Sequence, residues 1–597
     1  MSESARRHRT VNPKLSAIEG WVSSVGASVA LGDLDGDGLA NDACLVDPRT
    51  DQVIVTPVPG TGRRFEPFTL SPEPLRYDRL TMAPTGCLMV DLNEDGLRDL
   101  VVYYWGRTPV AFLRRQPSAA EPLGPSSFVP QELVAGLVTG NERWYTNAGL
   151  TADLDGDGHA DLLFGNYFAD GSVVLGAAGQ VEMQNSMSRA DNGGSKPILL
   201  WKSATSGEHP SVRFEVVNRN EEFGNGWTLA LAACDIDGDL LPEIYIANDF
   251  GPDRLLQNLS TPGHLRFRPL HGHRGWTTPK SKVVGQDSYK GMGVDCADIN
   301  GDGIPDFMVS NISDTYALEE GNLMFVSTGN TSAMKSGIAP YRERGESLGL
   351  ARSGWSWDVR FGDFDNGGNQ QIIQANGFLQ GKINRWPELH ELAMANDLMV
   401  RDPKHWPQFL PGADVSGHNH DHFFVQATSG KYFDIAAEIG LGDPQVSRGV
   451  ATADVDGDGR LDFAVANQWG DSFFFHNTSP RTGEFLGLHL LLPVRTMPTT
   501  VHDGHPSREI AGYPAIGARA TVHLPNGRML VEQVDGGNGH SGKSSADLHF
   551  GLGAIGRQVL PVSFDWRDHN GVVRHYETML APGWHTVFLG TISNEHN

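Results

Sequence analysis

The stretch Thr151–Phe168, TADLDGDGHADLLFGNYF, places four aspartates, Asp153, Asp155, Asp157 and Asp161, within nine residues and then turns abruptly apolar. Like charges this dense repel one another unless a cation sits among them. Oxygen-rich spacing of this kind suits calcium, a hard ion that accepts six to eight oxygens in flexible geometry. Positions 1, 3, 5 and 9 of the loop offer side chains and position 7 offers its carbonyl, so the imidazole of His159 need not touch the ion. Glycine at position 6 lets the chain wrap tightly.

The pattern recurs at six other places: GDLDGDGLANDACLV from Gly32, VDLNEDGLRDLVVYYWG from Val90, CDIDGDLLPEIYIANDF from Cys234, ADINGDGIPDFMVSNI from Ala297, GDFDNGGNQQIIQANGF from Gly362 and ADVDGDGRLDFAVANQW from Ala453. First positions fall at 33, 91, 153, 235, 298, 363 and 454, a base period of about 60 residues with two long intervals. The candidate calcium ligands are Asp33, Asp35, Asp37, Leu39 and Asn41; Asp91, Asn93, Asp95, Leu97 and Asp99; Asp153, Asp155, Asp157, His159 and Asp161. They continue with Asp235, Asp237, Asp239, Leu241 and Glu243; Asp298, Asn300, Asp302, Ile304 and Asp306; and Asp454, Asp456, Asp458, Arg460 and Asp462. In the fourth loop, position 6 is Leu240 rather than glycine. The sixth keeps Asp363 and Asp365 but has Gly367 and Gln371 where acids belong, so it is expected to keep the turn and lose the ion. About five or six ions are expected in all. Short Asp and Asn side chains also make turns without metal, an alternative that calls for fewer carboxylates than these loops carry.

An EF-hand opens similarly but requires a glutamate at position 12 and a helix after it. Here position 12 is Cys44, Val102, Phe164, Ile246, Val309 or Val465, and the segment beyond each loop is short and rich in β-branched and aromatic residues, which reads as a strand. Units of this length, rich in short strands, suit four-stranded blades, and seven of them can close into a ring with few exposed edges. The expectation is all-β: a seven-bladed β-propeller over residues 1–485, with insertions near 180–215 and 380–410. The loops resemble the FG-GAP repeats of integrin-type propellers.

Acidic residues number 72 against 47 Lys and Arg in 597 residues. That balance argues against nucleic acid or an anionic membrane as a main partner, and the loop ligands account for most of the excess. No apolar run is long enough to span a bilayer. The opening MSESARRHRTVNPKLSAIEG is basic without the apolar core of a secretory signal, so a cytoplasmic location is expected. Cys44, Cys87, Cys234 and Cys296 show no CxxC spacing and read as small buried hydrophobes.

From about residue 486 the acidic pattern stops. GARATVHLPNGRMLVEQV turns at Asn526-Gly527 and PVSFDWRDHNGVVRHYETM at Asn570-Gly571, two hairpin signals in a small β domain spanning 486–597. The loops, together with IGARATVHL and LHFGLG, resemble the ASPIC/UnbV proteins, which join an FG-GAP-like propeller to such a terminal domain. The segment PELHELAMANDLMVRDPKHWP resembles the UnbV proteins of actinobacterial enediyne antibiotic clusters. One departure is His540, Ser541, Gly542 and Lys543, where the family pattern commonly has an aromatic and then Ser-Gln, so no role tied to that turn carries over.

Leu389, Leu392, Ala393 and Met394 have helical spacing, expected of a helix packed over the propeller. In SGHNHDHFF, His418, His420 and His422 would share one strand face, close enough for a transition metal or proton transfer, and equally suited to a hydrogen-bonded cluster. They are the only catalytic candidates, because nucleophile-elbow, phosphate-loop and dinucleotide motifs are absent from the sequence. The resemblance implies a role in converting a polyketide-derived polyene into an enediyne core, with that small molecule or other biosynthetic proteins as partners. The other reading is a non-catalytic calcium-dependent binding or scaffold protein that presents or shelters a partner.

Overall fold

The computed structural model describes residues 8–116, 122–134, 142–286, 290–317, 320–480 and 483–591. The basic opening residues 1–7 lie outside the described residues. Seven antiparallel sheets succeed one another between Ser28 and Phe475, one per repeat. The fourth shows the plan, with Trp227–Cys234, Glu243–Phe250, Arg254–Asn258 and Phe267–Leu270 pairing in chain order. In every sheet the acidic loop joins the first strand to the second.

First strands such as Ser28–Gly32, Thr146–Ala152 and Ser447–Ala453 are buried along their whole length and rich in Gly, Ala, Ser and Thr. Small side chains suit positions where many strands converge. Each first strand lies against the first strand of the next sheet, and Ser447–Ala453 lies against Ser28–Gly32. Every neighbouring pair of sheets encloses its own apolar core. Tyr245 and Phe307 pack at 5.4 Å between the fourth and fifth sheets, and Ala27, Leu31 and Ala451 pack between the seventh and the first. Fully burying one such large side chain is worth about 1.5–3 kcal/mol. This is a β-propeller-like fold.

The cysteines correct the sequence reading. Cys44 on the first sheet is bonded to Cys87 on the second, and Cys234 on the fourth to Cys296 on the fifth. Each bond staples neighbouring sheets across one repeat, which is why no short spacing announced it.

Residues Glu484–Phe588 form two further sheets around a separate core that includes Leu488, Phe564 and Trp566. Arg519–His523 pairs with Met529–Gln533, and Leu560–Arg567 with Val573–Leu580, so both predicted hairpins are present.

The insertions are only partly as expected. Within 180–215, Pro197–Thr205 and most of Ser211–Asn218 are the outer strands of the third sheet, so the irregular material ends before Pro197. The second insertion contains the helix Trp386–Ala393, whose Leu389 and Leu392 are buried while Met394 just beyond it is exposed. With Leu15, Ile18, Val22 and Phe409 these side chains join an aromatic cluster that includes Trp105, Trp227, Trp355 and Phe378, at the ends of the sheets opposite the acidic loops.

Candidate functional site

In all seven loops the aspartate at position 1 accepts from the backbone N–H groups of positions 5 and 6. In the third, Asp153 accepts from the backbone N–H groups of Gly156, Asp157 and Gly158 at 2.7, 3.1 and 2.9 Å. Asp155 accepts from Asp157 N–H and Asp157 from His159 N–H. Asp161 uses one oxygen for Leu154 N–H inside the loop and the other for Trp201 N–H on the third strand, tying the loop to its own sheet.

Two residues per loop sit at positive φ, at positions 4 and 6. Position 6 was read from the sequence; position 4 was not, although Gly36, Gly156, Gly238, Gly301 and Gly457 mark it. Where glycine is missing the conformation persists: Glu94 at 57°, Asn366 at 57° and Leu240 at 64°. Leu240 therefore holds a backbone region that branched and bulky residues rarely occupy, and the loop closes around it regardless.

The donor set is carboxylate, amide and carbonyl oxygen, the chemistry of a hard cation. Ligand atoms of Asp33, Asp35 and Asp37 lie within 4.8 Å of one another, as do those of Asp153, Asp155 and Asp161 and those of Asp235, Asp237 and Asp239. Asn93 Oδ1 in the second loop is buried with no hydrogen-bond partner among the described residues. Burial and the neighbouring carboxylates push Asp153 and Asp306 up to about 7 and hold Asp99, Asp161 and Glu243 well above the usual carboxylate range. These residues fit calcium. When bound, it would supply the positive charge that the clustered acids lack.

Two loops depart from the pattern. The first has one extra residue, so the residue paired opposite Gly32 is Asp42, not Asn41. Asp42 accepts from Leu34 and Asp35 N–H at 2.8 and 2.9 Å, as the ninth residue does elsewhere. The sequence placement of Asn41 at this position is corrected accordingly. Arg64 also enters this loop, with Nη1 at 3.2 Å from Asp35 and 2.9 Å from Asp37, and Nη2 on Asp42. In the sixth loop Gln371 Nε2 donates to Asp365 Oδ1, so an N–H group faces inward where the other loops present an acid. The His159 Nδ1 lies 2.6 Å from Glu94 and its ring stacks on Trp201.

The terminal domain rests on all seven loops. Arg508 donates to the Asp35 and Gly36 carbonyls. Ala511 and Gly512 lie against Gly96. Arg567 reaches Asp239 O at 3.0 Å and approaches Asp153, Arg519 reaches Gly303 O and Arg528 reaches Gly368 O. Trp584 Nε1 donates to Asp454 Oδ2 at 3.0 Å.

From this domain the segment 535–547 runs against the first strands of several sheets. Gly536 O accepts from Thr151 N–H, Asn538 Oδ1 from Ala233 N–H, and Gly539 N–H donates to Leu231 O. Asp358 accepts from His540 and Gly542 N–H at 3.0 and 2.7 Å, and Arg360 grips the carbonyls of Asn538 and Gly542. Gly542 and Lys543 pair with Val29 and Ala30. A Cβ on Gly542 would meet Val450 O at 1.8 Å, so only glycine passes there. Lys543, buried beside Arg360 and pushed down to about 7, donates to the carbonyls of Gly537, Asn538 and Gly539. Sequence reasoning set this stretch aside, yet its glycine-rich GGNGHSG was the visible sign of a backbone that must pass close to others.

The histidines divide. His418 is exposed and pairs with Asp414 at 3.2 Å, apart from the other two. His420 and His422 stack at 4.4 Å and share Asp434, a carboxylate that sequence alone could not locate.

No curated protein matches the chain. Two similar solved structures are extracellular domains of a one-component system and of a hybrid two-component system from B. thetaiotaomicron. They share 7% and 8% identity, cover 94% and 93% of this chain and 86% of their own, and have TM-scores of 0.16, a likeness that carries no argument. Residues 235–309 match the FG-GAP-like repeat, 447–483 the FG-GAP repeat and 511–590 the ASPIC and UnbV family, so the chain carries an ASPIC/UnbV terminal region joined to FG-GAP repeats.

Proposed function

We propose that this protein is a calcium-dependent binding or scaffold protein: a closed seven-bladed propeller whose metal-braced loops form the seat of its own terminal domain. The observation that carries this reading is that every acidic loop touches the terminal domain while segment 535–547 fills the hub from the same side. Closure is supported by the contact of the seventh first strand with the first and by the apolar core between them. Beside the inserted segment there remains a cavity of about 170 Å³ lined by Asp295, Arg360, Glu532 and Asn538, walls ill suited to a polyene, so recognition falls to the outer surfaces. Limited proteolysis with and without chelator tests this. Calcium should protect the junction near residue 485 and the terminal domain together; protection unchanged by verified calcium removal would sink the proposal.

A second reading rests on the resemblance to UnbV proteins: action on a polyketide-derived polyene in forming an enediyne core. One observation favours it. The helix Trp386–Ala393 covers a cavity of about 40 Å³ lined by Trp21, Tyr316, Trp355, Trp386 and Trp406, apolar walls of the kind that would stack a conjugated chain once the helix lifted. Supplying polyene and partner proteins with and without this chain, and looking for a new product, decides between the two readings.

The expected cytoplasmic location meets an opposing observation. Two disulfides favour an oxidising compartment, although no helix among the described residues is long and apolar enough to cross a membrane. Thiol titration of denatured, unreduced protein purified from its native compartment should find no free thiol if the chain matures outside the cytosol.

A further inference from the structure

The sixth sheet, whose acidic loop lacks its ninth-position acid, carries another kind of site at its opposite end. His420 and His422 are two residues apart on extended chain leading into the strand His422–Gln426, which pairs with Tyr432–Asp434. Asp434 Oδ1 is fixed by the N–H groups of Phe423 and Ala436, both at 3.0 Å. Its Oδ2 is thereby aimed at the two imidazoles, 3.4 Å from His420 Nε2 and 3.7 Å from His422 Nε2. All three ligand atoms lie within 4.8 Å of one another.

The geometry points to a zinc-type transition-metal site formed by His420, His422 and Asp434, separate from the calcium loops in place and in chemistry. Zinc bonds of about 2.0–2.1 Å place tetrahedral ligand atoms about 3.3–3.4 Å apart, close to the two spacings observed. Imidazole nitrogen selects such metals over calcium, which prefers oxygen. Asn376 contacts His422 Nδ1 at 2.7 Å and fixes the ring so that Nε2 faces Asp434. Asn376 Nδ2 also donates to the carbonyls of Ser353 and His420, so a metal that takes the Nε2 lone pair and sends the proton to Nδ1 must also draw the carboxamide away from those two carbonyls. His420 is 38% exposed, so its ring can turn out of the stack to converge, and the fourth position opens to solvent. Three protein ligands and one open position make the arrangement found where zinc polarises a bound water or substrate oxygen.

The test titrates the full chain with Co²⁺ in excess calcium, which keeps the acidic loops filled, and reads the visible absorption of tetrahedral cobalt; Zn²⁺ is then added as competitor. One equivalent should bind and be displaced by zinc. His420→Ala and Asp434→Asn should each weaken binding more than about 100-fold. His418→Ala should leave binding unchanged. Because His420 is partly exposed, its variant should keep the wild-type calcium-dependent melting shift, separating loss of metal from loss of fold. A cobalt spectrum identical in wild type and His420→Ala, or no tetrahedral band in the wild type, overturns the assignment.

Discussion

The sixth and seventh acidic loops are neighbours that share a backbone and differ in their acids. Asp363 accepts from Gly367 and Gly368 N–H much as Asp454 accepts from Gly457, Asp458 and Gly459, and positions 4 and 6 take positive φ in both. Position 9 separates them. Asp462 accepts from Val455 and Asn477 N–H, whereas Gln371 accepts from Phe364 N–H and donates to Asp365. The turn is therefore a property of Asp at position 1 and of the backbone, while the excess negative charge comes from positions 5 and 9. The resemblance of a loop to its neighbours says that it folds alike, not that it is charged alike.

The largest way to break this comparison is to remove calcium. Each ion bound at about 100 times its Kd adds about 2.7 kcal/mol to the folded state. Chelation should lower the melting temperature steeply and loosen the terminal domain; a melting curve unmoved after confirmed metal loss would remove the distinction between the loops.

The pH dependence comes next. Without metal, Asp153 and Asp306 sit at about 7 and Asp42 at about 8 in the folded chain, against 3.8 as the ordinary value. The folded state then binds more protons than the unfolded one between about pH 4 and 8, so stability is greatest at the acid end and falls as pH rises through that window. Chelated protein should melt higher at pH 5 than at pH 8. Calcium should flatten or reverse that slope.

The converse experiment rebuilds the sixth loop. Gly367→Asp with Gln371→Glu restores acids at positions 5 and 9, with Glu243 of the fourth loop as precedent for glutamate there. Equilibrium dialysis should find one more calcium per chain, with a stability gain on the order of 1–3 kcal/mol at saturating calcium. An unchanged stoichiometry would mean that position 4 or the terminal-domain contact also decides binding.

The smallest effect is expected in the first loop. Arg64 contributes its own positive charge among Asp35, Asp37 and Asp42. Arg64→Ala should raise calcium affinity there several-fold, visible as a shift in the weakest phase of a titration.

Much of this was legible in sequence because one acidic pattern repeated, flanked by β-branched strands, and because hairpins announced themselves at Asn526-Gly527 and Asn570-Gly571. The departures have physical reasons. Asn41 was misplaced because one inserted residue shifts a ligand without disturbing the pattern before it. The disulfides were missed because their partners lie one repeat away. The role of Gly536–Lys543 was invisible because its partners are backbone groups and side chains supplied by four different sheets, the first, third, fourth and sixth, and Asp434 joined the histidines only through strand pairing.

The insertion of Gly542 and Lys543 beside Val29 and Ala30 also sets the order of assembly on the ribosome. Ser28–Gly32 pairs on one side with the strand that follows it, but on the other it waits for a segment more than 500 residues downstream. Contacts of such sequence separation form late and slowly, so a nascent chain that stops short of residue 535 would expose the unpaired backbone groups of Val29, Thr151, Leu231 and Ala233, a ready substrate for chaperones and for wrong pairing between copies.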